Sequence, residues 1–65
     1  MIKQEYLGKK IELTDCEGKK WNGKVNMITS ALDSDSEENE LTIEFSGRLV
    51  EFREKEIRQI VCLPS

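Results

Sequence analysis

The chain of 65 residues has no histidine, only two cysteines and only one proline. Without histidine, a catalytic Cys–His pair cannot form within one chain. A zinc site would need carboxylates in addition to two thiols, because Cys16 and Cys62 lie far apart and form no CxxC pair. The sequence also lacks a glycine-rich phosphate loop. These absences argue against an enzyme, and the sequence indicates no catalytic residue, cofactor or metal ligand.

Long apolar runs are also missing. No stretch approaches the roughly 20 residues that span a bilayer, and the amino-terminal residues MIKQEYLGKK lack the apolar core of a secretion signal. We therefore expect a cytoplasmic protein with no membrane partner. Both thiols are then expected to be reduced, with Cys62 as a core side chain. A bridge between Cys16 and Cys62 is the alternative.

A basic overall balance is the third absence. The formal net charge is −3, with six lysines against four acids in residues 1–24 and six acids without a base in residues 33–44. Nucleic-acid-binding domains usually carry a basic stripe and a positive balance, because phosphate contacts dominate their affinity. The charge distribution therefore does not favour RNA as a partner.

The composition is that of a folded domain, with 37% hydrophobic and 35% charged residues. A chain this short forms a single domain, residues 1–65, and a domain of this size buries only about 60% of the surface exposed when unfolded. Contact with a second subunit would add stabilisation.

Alternating polar and apolar residues predict the first two strands. Residues 9–15 place Ile11 and Leu13 on one face, and a turn follows up to Gly18. Residues 21–27 form the next strand, whose predicted inward positions are Trp21, Gly23, Val25 and Met27. Glycine in mid-strand indicates a sharp bend or a close approach between backbones. The alternation slips after Met27, which predicts a bulge at residues 28–30.

The carboxyl-terminal half predicts three more strands. Residues 41–45 and 49–53 form a hairpin around Ser46-Gly47-Arg48. Residues 53–57 form a one-turn helix anchored by Ile57. Residues 58–63 form a last strand that is apolar on both faces, with Ile60 and Cys62 inward. With a short helix or turn in residues 1–7, the sequence predicts an all-β fold, a small five-stranded antiparallel barrel of the Sm-like or SH3-like kind.

The acidic segment, residues 33–40, has no hydrophobic side chain. A calcium loop is one interpretation, but the glycine pivot and closing glutamate of an EF-hand loop are missing. A solvated hairpin tip is the expectation.

The spacing of residues 7–33 resembles the first conserved segment of the Sm and Sm-like (LSm) family. That segment has an apolar alternating strand, two glycines separated by four residues, an apolar position two further on, an Asp six residues after the second glycine, and then a Met-Asn pair. The matching positions here are Leu7-Gly8, Ile11, Leu13, Gly18, Gly23, Val25, Thr29 and Leu32-Asp33. The resemblance implies a short helix followed by a five-stranded barrel, in a protein that forms rings.

The RNA-binding positions of that family differ here. Thr29 stands in place of its Asp, Ala31 in place of a stacking aromatic, and Asp33 in place of an Asn that bonds the base. Ala31 has no ring to stack, and the Asp33 carboxylate cannot donate. The family's Arg-Gly between strands four and five is replaced by residues 53–57. The chain therefore resembles the short bacterial Sm-like proteins more than the RNA chaperones.

Two functions follow as hypotheses. The first is a non-catalytic binding or assembly module that associates with itself, or with another protein, through strand edges carrying Leu49, Val61 and Leu63. In the alternative packing, Leu49 and Val61 cover each other inside a monomer. Measuring the molar mass decides between the two.

The second hypothesis is RNA or single-stranded nucleic-acid binding through the lysine-bearing face. Its candidate residues are Lys9, Lys10, Lys19, Lys20 and Lys24. Trp21 would be the stacking platform, although its inward position favours a core role. Lysines on strands usually form a solvated face, and the acidic segment would repel phosphate.

Overall fold

A computed structural model of the protein describes residues 2–33 and 37–64, and these contain five strands and two short 3-10 turns. The turns precede the first and the last strand, as predicted. The elements are a 3-10 turn Gln4–Tyr6, β1 Lys10–Asp15, β2 Lys20–Thr29, β3 Glu40–Phe45, β4 Arg48–Arg53, a 3-10 turn Glu54–Glu56, and β5 Ile57–Cys62. None of the described helices is long and apolar enough to cross a membrane.

The strands form one antiparallel sheet in the order β4-β3-β2-β1-β5. Strand β2 has 10 residues and serves both halves of the sheet, since residues 20–24 pair with β1 and residues 24–29 pair with β3. At Gly23 the β3 backbone comes so close that an added Cβ would lie 2.5 Å from the carbonyl oxygen of Glu44. The mid-strand glycine therefore marks a close backbone approach, which is one of its two predicted roles.

The bulge in β2 lies earlier than predicted. The register with β3 shifts between Val25 and Met27, and not at residues 28–30. The extra residue, Asn26, reverses the alternation, so Met27 is 54% exposed and Ile28 packs against the core instead. The prediction that Met27 points inward is therefore wrong.

The core lies on the concave side of the curled sheet. Its buried members are Ile11, Leu13, Val25, Leu41, Ile43, Phe52 and Ile57. Trp21, at the start of β2, makes edge-to-face contacts with Phe45 and Phe52, at centroid distances of 5.0 and 5.3 Å. These contacts bring the start of β2 against residues of β3 and β4, which shows how strongly the sheet curls.

The sheet does not close into a barrel, which corrects the predicted architecture. Among the residues that the structure describes, β4 pairs only with β3, and β5 pairs only with β1. In a row of five alternating strands the first and last run in the same direction, so closure would require a parallel pair. Parallel neighbours need a connection of a dozen or more residues, whereas β4 and β5 are joined by the three-residue turn Glu54–Glu56. Chain connectivity therefore leaves two open edges.

The cysteines also differ from the prediction. Cys16 and Cys62 are both free and exposed, so Cys62 is not a core side chain and no bridge joins the two. Cys62 lies opposite Ile11 at the end of the edge strand β5, where no further strand covers it. Near the amino terminus, Tyr6 packs against the core, whereas Leu7 is 50% exposed.

Candidate interaction surfaces

The two open edges of the sheet carry exposed apolar side chains. Leu49 on β4 is 61% exposed, and Val61 on β5 is 41% exposed. Leu63, directly after β5, is 37% exposed. All three residues that the sequence suggested for self-association therefore lie at edges. Leu49 lies at the edge opposite to Val61 and Leu63.

The strand register places these residues on the outer face of the sheet. Leu49 lies opposite Glu44, Glu44 opposite Lys24, and Lys24 opposite Lys10. The Leu63 amide donates to the Lys10 carbonyl at 2.9 Å, which continues the row to the β5 edge. This outer row is apolar at both ends and charged in the middle.

The inner face is also incompletely covered at both edges. Val50 lies opposite Ile43, and Ile60 lies opposite Leu13. Both Val50 and Ile60 are only half-buried, although they pack against the core. The hydrophobic core is therefore open at both sheet edges. The alternative in which Leu49 and Val61 cover each other is not observed, because both side chains are exposed.

A shallow groove beside the β5 edge brings together three of the five candidate lysines, and we call it the lysine groove. It encloses about 540 Å³ and is lined by Gly8, Lys9, Lys10, Lys24, Cys62, Leu63 and Pro64. Adjoining concave surface extends past Lys24 to Glu44 and Leu7. The groove therefore combines ammonium groups with an apolar wall.

The groove lysines lack carboxylate partners among the described residues. The ion pairs of the described residues lie elsewhere and join Lys3 to Glu5, Arg53 to Glu56, and Lys55 to Glu38.

Lys10 and Lys24 lie directly opposite each other on neighbouring strands, and like charges in that position are destabilising. The carboxylate next to them in the register is Glu44, opposite Lys24. This surface therefore favours an added negative charge.

Lys19 and Lys20 lie at the far end of the β1–β2 hairpin, away from the groove. Lys20 lies opposite Thr14 in the last pair of the β1–β2 ladder, whereas Lys10 and Lys24 form the first pair. The Lys19 ammonium nitrogen lies 4.2 Å from the centroid of the Trp21 ring, which is a cation–π distance. The structure therefore splits the five predicted lysines into two groups.

The Trp21 ring is engaged on several sides, which agrees with a core role and disfavours a stacking platform. Besides the contacts with Lys19 and two phenylalanines, its Nε1–H donates to Asp15 Oδ2 at 3.0 Å. This hydrogen bond is the main cause that holds the pKa of Asp15 below its ordinary value, supported by the Lys19 and Glu17 amides.

Sequence reasoning missed a hydrogen-bond network around Glu54. The Ile2 amide donates to Glu54 Oε2 at 3.0 Å, and the Asn39 amide group contacts Glu54 Oε1 at 3.5 Å. In turn Asn39 Oδ1 accepts from the Ala31 amide at 2.9 Å. The Ile2 hydrogen bond is the main cause of the lowered pKa of Glu54. No local pattern signals a contact between residues 52 positions apart.

Sequence reasoning also missed Leu32, which is 96% exposed in the turn that follows β2. The sequence assigned Leu32 only a position in the Sm-like spacing of residues 7–33. The tip of that segment, residues 34–36, lies outside the described residues, so the predicted hairpin tip is described only at its two ends. A leucine directly followed by acids was the available signal.

Comparisons with protein-family models, with curated proteins and with solved structures found no match. The strand pairing shows a small five-stranded antiparallel sheet, and the Sm-like resemblance remains a prediction from residue spacing.

Proposed function

We propose that this protein is a non-catalytic assembly module of the Sm-like kind that associates with itself by joining the β4 edge of one copy to the β5 edge of the next. The observation that supports this most is that both open edges expose apolar residues on the outer face and half-buried core residues on the inner face. Unpaired edges with apolar side chains favour pairing with another chain.

The two edges are complementary on both faces. When the concave sides of two copies face the same way, Val50 of one copy lies beside Ile60 of the next on the inner side. Because β4 and β5 run in the same direction, Leu49 then lies beside Gln59 on the outer side and diagonally across from Val61. Main-chain hydrogen bonds would join the strands, as in other cases of strand addition to a sheet edge. The contact extends the hydrophobic core across the boundary between copies.

Such a contact is head-to-tail, because β4 and β5 are different surfaces. Repeating it gives a closed ring when the rotation closes, and an open chain otherwise. The resemblance to a ring-forming family supports the closed form.

Sedimentation equilibrium of the wild-type protein and of single variants tests the proposal. Leu49→Lys and Val61→Lys should each shift the protein strongly toward monomer, because each brings a charge into an apolar contact. Met27→Lys is the matched control, since Met27 is similarly exposed, at 54%, but lies on the central strand. A wild-type protein that is monomeric at every concentration would overturn the proposal.

RNA binding is the second candidate, and one observation favours it, namely the convergence of Lys9, Lys10 and Lys24 on one groove. The net charge of −3 and the occupied Trp21 ring weigh against it. Titration with labelled single-stranded RNA tests this function. Binding through these lysines should weaken steeply with salt and disappear in Lys10→Glu/Lys24→Glu.

A further inference from the structure

Two further surfaces are complementary to each other, and they overlap the proposed edge contact at Cys62 and Leu63. One is the exposed turn after β2, where Leu32 is 96% exposed and the acidic segment follows directly. That segment, residues 33–40, has no basic residue. Its acids are Asp33, Asp35, Glu37, Glu38 and Glu40. An almost fully exposed leucine beside a run of carboxylates presents an apolar and an anionic group together.

The lysine groove offers the opposite combination. Lys9, Lys10 and Lys24 supply three ammonium groups, and Leu63 and Pro64 supply an adjacent apolar wall.

We propose that the lysine groove binds Leu32 and the neighbouring acids Asp33 and Glu37 of a second copy of this chain. The leucine side chain packs on Leu63 and Pro64, and the carboxylates pair with Lys10 and Lys24. This is a second contact between copies, separate from the joining of the β4 and β5 edges, and it does not depend on that joining.

The contact has to be made between copies and not within one. Lys24 and Thr29 lie five residues apart on the same strand, which corresponds to roughly 16 Å at the usual rise per residue. Asp33 lies four residues beyond Thr29, and its side chain makes a local contact with the Ser30 hydroxyl at 3.2 Å. The end of β2 that leads into Leu32 and Asp33 is therefore remote from the groove of its own chain.

Charge decides between an acidic protein segment and a nucleic acid as the occupant. The groove has three ammonium groups, with Glu44 directly opposite Lys24, in a chain whose formal net charge is −3. That is a small positive surface on a negatively charged protein, which suits a few carboxylates better than a phosphate backbone. Leu32 would also cover the apolar wall of Leu63 and Pro64, whereas a phosphate backbone would leave that wall exposed.

Exposed ion pairs are individually weak and are screened by salt, so the contact should be salt-sensitive. The association through the apolar edges should depend much less on the salt concentration. To separate the two contacts, the experiment uses the full chain carrying Leu49→Lys and Val61→Lys, which blocks the edges by like-charge repulsion.

Sedimentation velocity of this edge-blocked protein should show association at about 20 mM salt and loss of association at about 500 mM salt. Adding Lys10→Glu/Lys24→Glu should weaken the association at least tenfold, and adding Leu32→Ser should weaken it several-fold. Lys19→Glu/Lys20→Glu is the matched control, because it changes the net charge equally at the other end of the hairpin. It should leave the association unchanged. Circular dichroism checks that every variant is folded.

Mixing complementary variants gives the sharpest result. In the edge-blocked background, Lys10→Glu/Lys24→Glu and Asp33→Lys/Glu37→Lys should each associate weakly alone. Mixed, they should associate through the acidic groups of the first and the intact groove of the second.

An edge-blocked protein that stays monomeric at low salt would overturn the inference without affecting the edge proposal. So would equal effects of the groove and control variants. Binding of labelled single-stranded RNA in the groove, without contact between copies, would also overturn it and would assign the groove to the alternative function.

Discussion

The two ends of the β1–β2 hairpin use the same residue types for different purposes. At the turn end, Asp15 accepts hydrogen bonds from the Glu17 and Lys19 amides at 2.9 Å and from the Trp21 indole at 3.0 Å. The Lys19 ammonium group lies over the Trp21 ring. The charges at this end stabilise the fold.

At the other end, Lys10 and Lys24 face each other across the strands without a carboxylate partner among the ion pairs of the described residues. Leu63 and the open β5 edge lie beside them. The turn end is therefore held together by contacts within one chain, whereas the other end is where we propose that a second copy binds. Variants along the hairpin can test this difference.

The largest effect is expected between the two ends, at Gly23. In Gly23→Ala the new Cβ would meet the Glu44 carbonyl oxygen at 2.5 Å, so the β2 and β3 backbones would have to separate. We expect the free energy of unfolding to fall by about 3 kcal/mol, as in severe overpacking. Urea denaturation measures it.

Gly18→Ala is the control for Gly23→Ala. Gly18 has a φ of +86° but no atom within 4 Å of the added Cβ. It should cost about 1 kcal/mol, from backbone conformation alone. Equal costs at the two glycines would contradict the close approach.

A smaller loss is expected for Trp21→Leu at the turn end. The variant removes the hydrogen bond to Asp15 and the edge-to-face contacts with Phe45 and Phe52. The free energy of unfolding should fall by about 2 kcal/mol, given that Trp21 is only half-buried. A loss below about 0.5 kcal/mol in urea denaturation would show that the turn end is not a stabilising cluster.

Lowering the pH should remove the stabilisation that the Asp15 carboxylate provides at the turn end. The pKa of Asp15 is lowered in the folded protein, so its contribution to stability is complete above the unfolded pKa near 3.8 and is lost as the pH falls through the folded value. In Asp15→Asn the amide nitrogen would face the Trp21 indole N–H, two donors opposed. The variant should be less stable than wild type at pH 7, and the difference should shrink as the pH falls below about 4.

Thermal denaturation between pH 2 and pH 7 measures this convergence. Asp33→Asn is the control, because Asp33 is exposed and hydrogen-bonds only to Ser30 among the contacts described. Parallel curves for wild type and Asp15→Asn across the whole range would refute the role assigned to Asp15.

The smallest change in the free energy of unfolding is expected at the Lys10–Lys24 end of the hairpin, and it should be a gain and not a loss. Lys10→Gln removes the repulsion with Lys24, so the free energy of unfolding at low salt should rise by about 0.3 kcal/mol. Lys20→Gln should give no gain, since Lys20 lies opposite Thr14. A loss of stability in Lys10→Gln would mean that the groove lysines are structural.

Sequence patterns predicted the strands of this fold correctly, but they did not show whether the sheet closes into a barrel. The period-two alternation placed all five strands, and Gly23 marked the close approach. The bulge position was wrong because Met27 and Ile28 are both apolar, so the sequence does not show which one faces the core. The closed barrel was wrong because periodicity says nothing about pairing between the first and last strands of a row.

The candidate surfaces were predictable in part. The two-faced apolar pattern of residues 58–63 pointed to the β5 edge, and Leu49 was found as its counterpart. The division of the five lysines could not be predicted, because it depends on which strand positions oppose each other. Lys10 and Lys24 are 14 residues apart in sequence but adjacent in the register.

The central claim, that the β4 and β5 edges join, is tested most directly by amide hydrogen exchange at several protein concentrations. If the edges join, exchange in residues 48–53 and 57–62 should slow as the concentration rises. Exchange in residues 10–15 and 20–29, which are already paired on both sides over much of their length, should change little. Exchange in both edge strands that is independent of concentration, together with a monomeric molar mass, would contradict it.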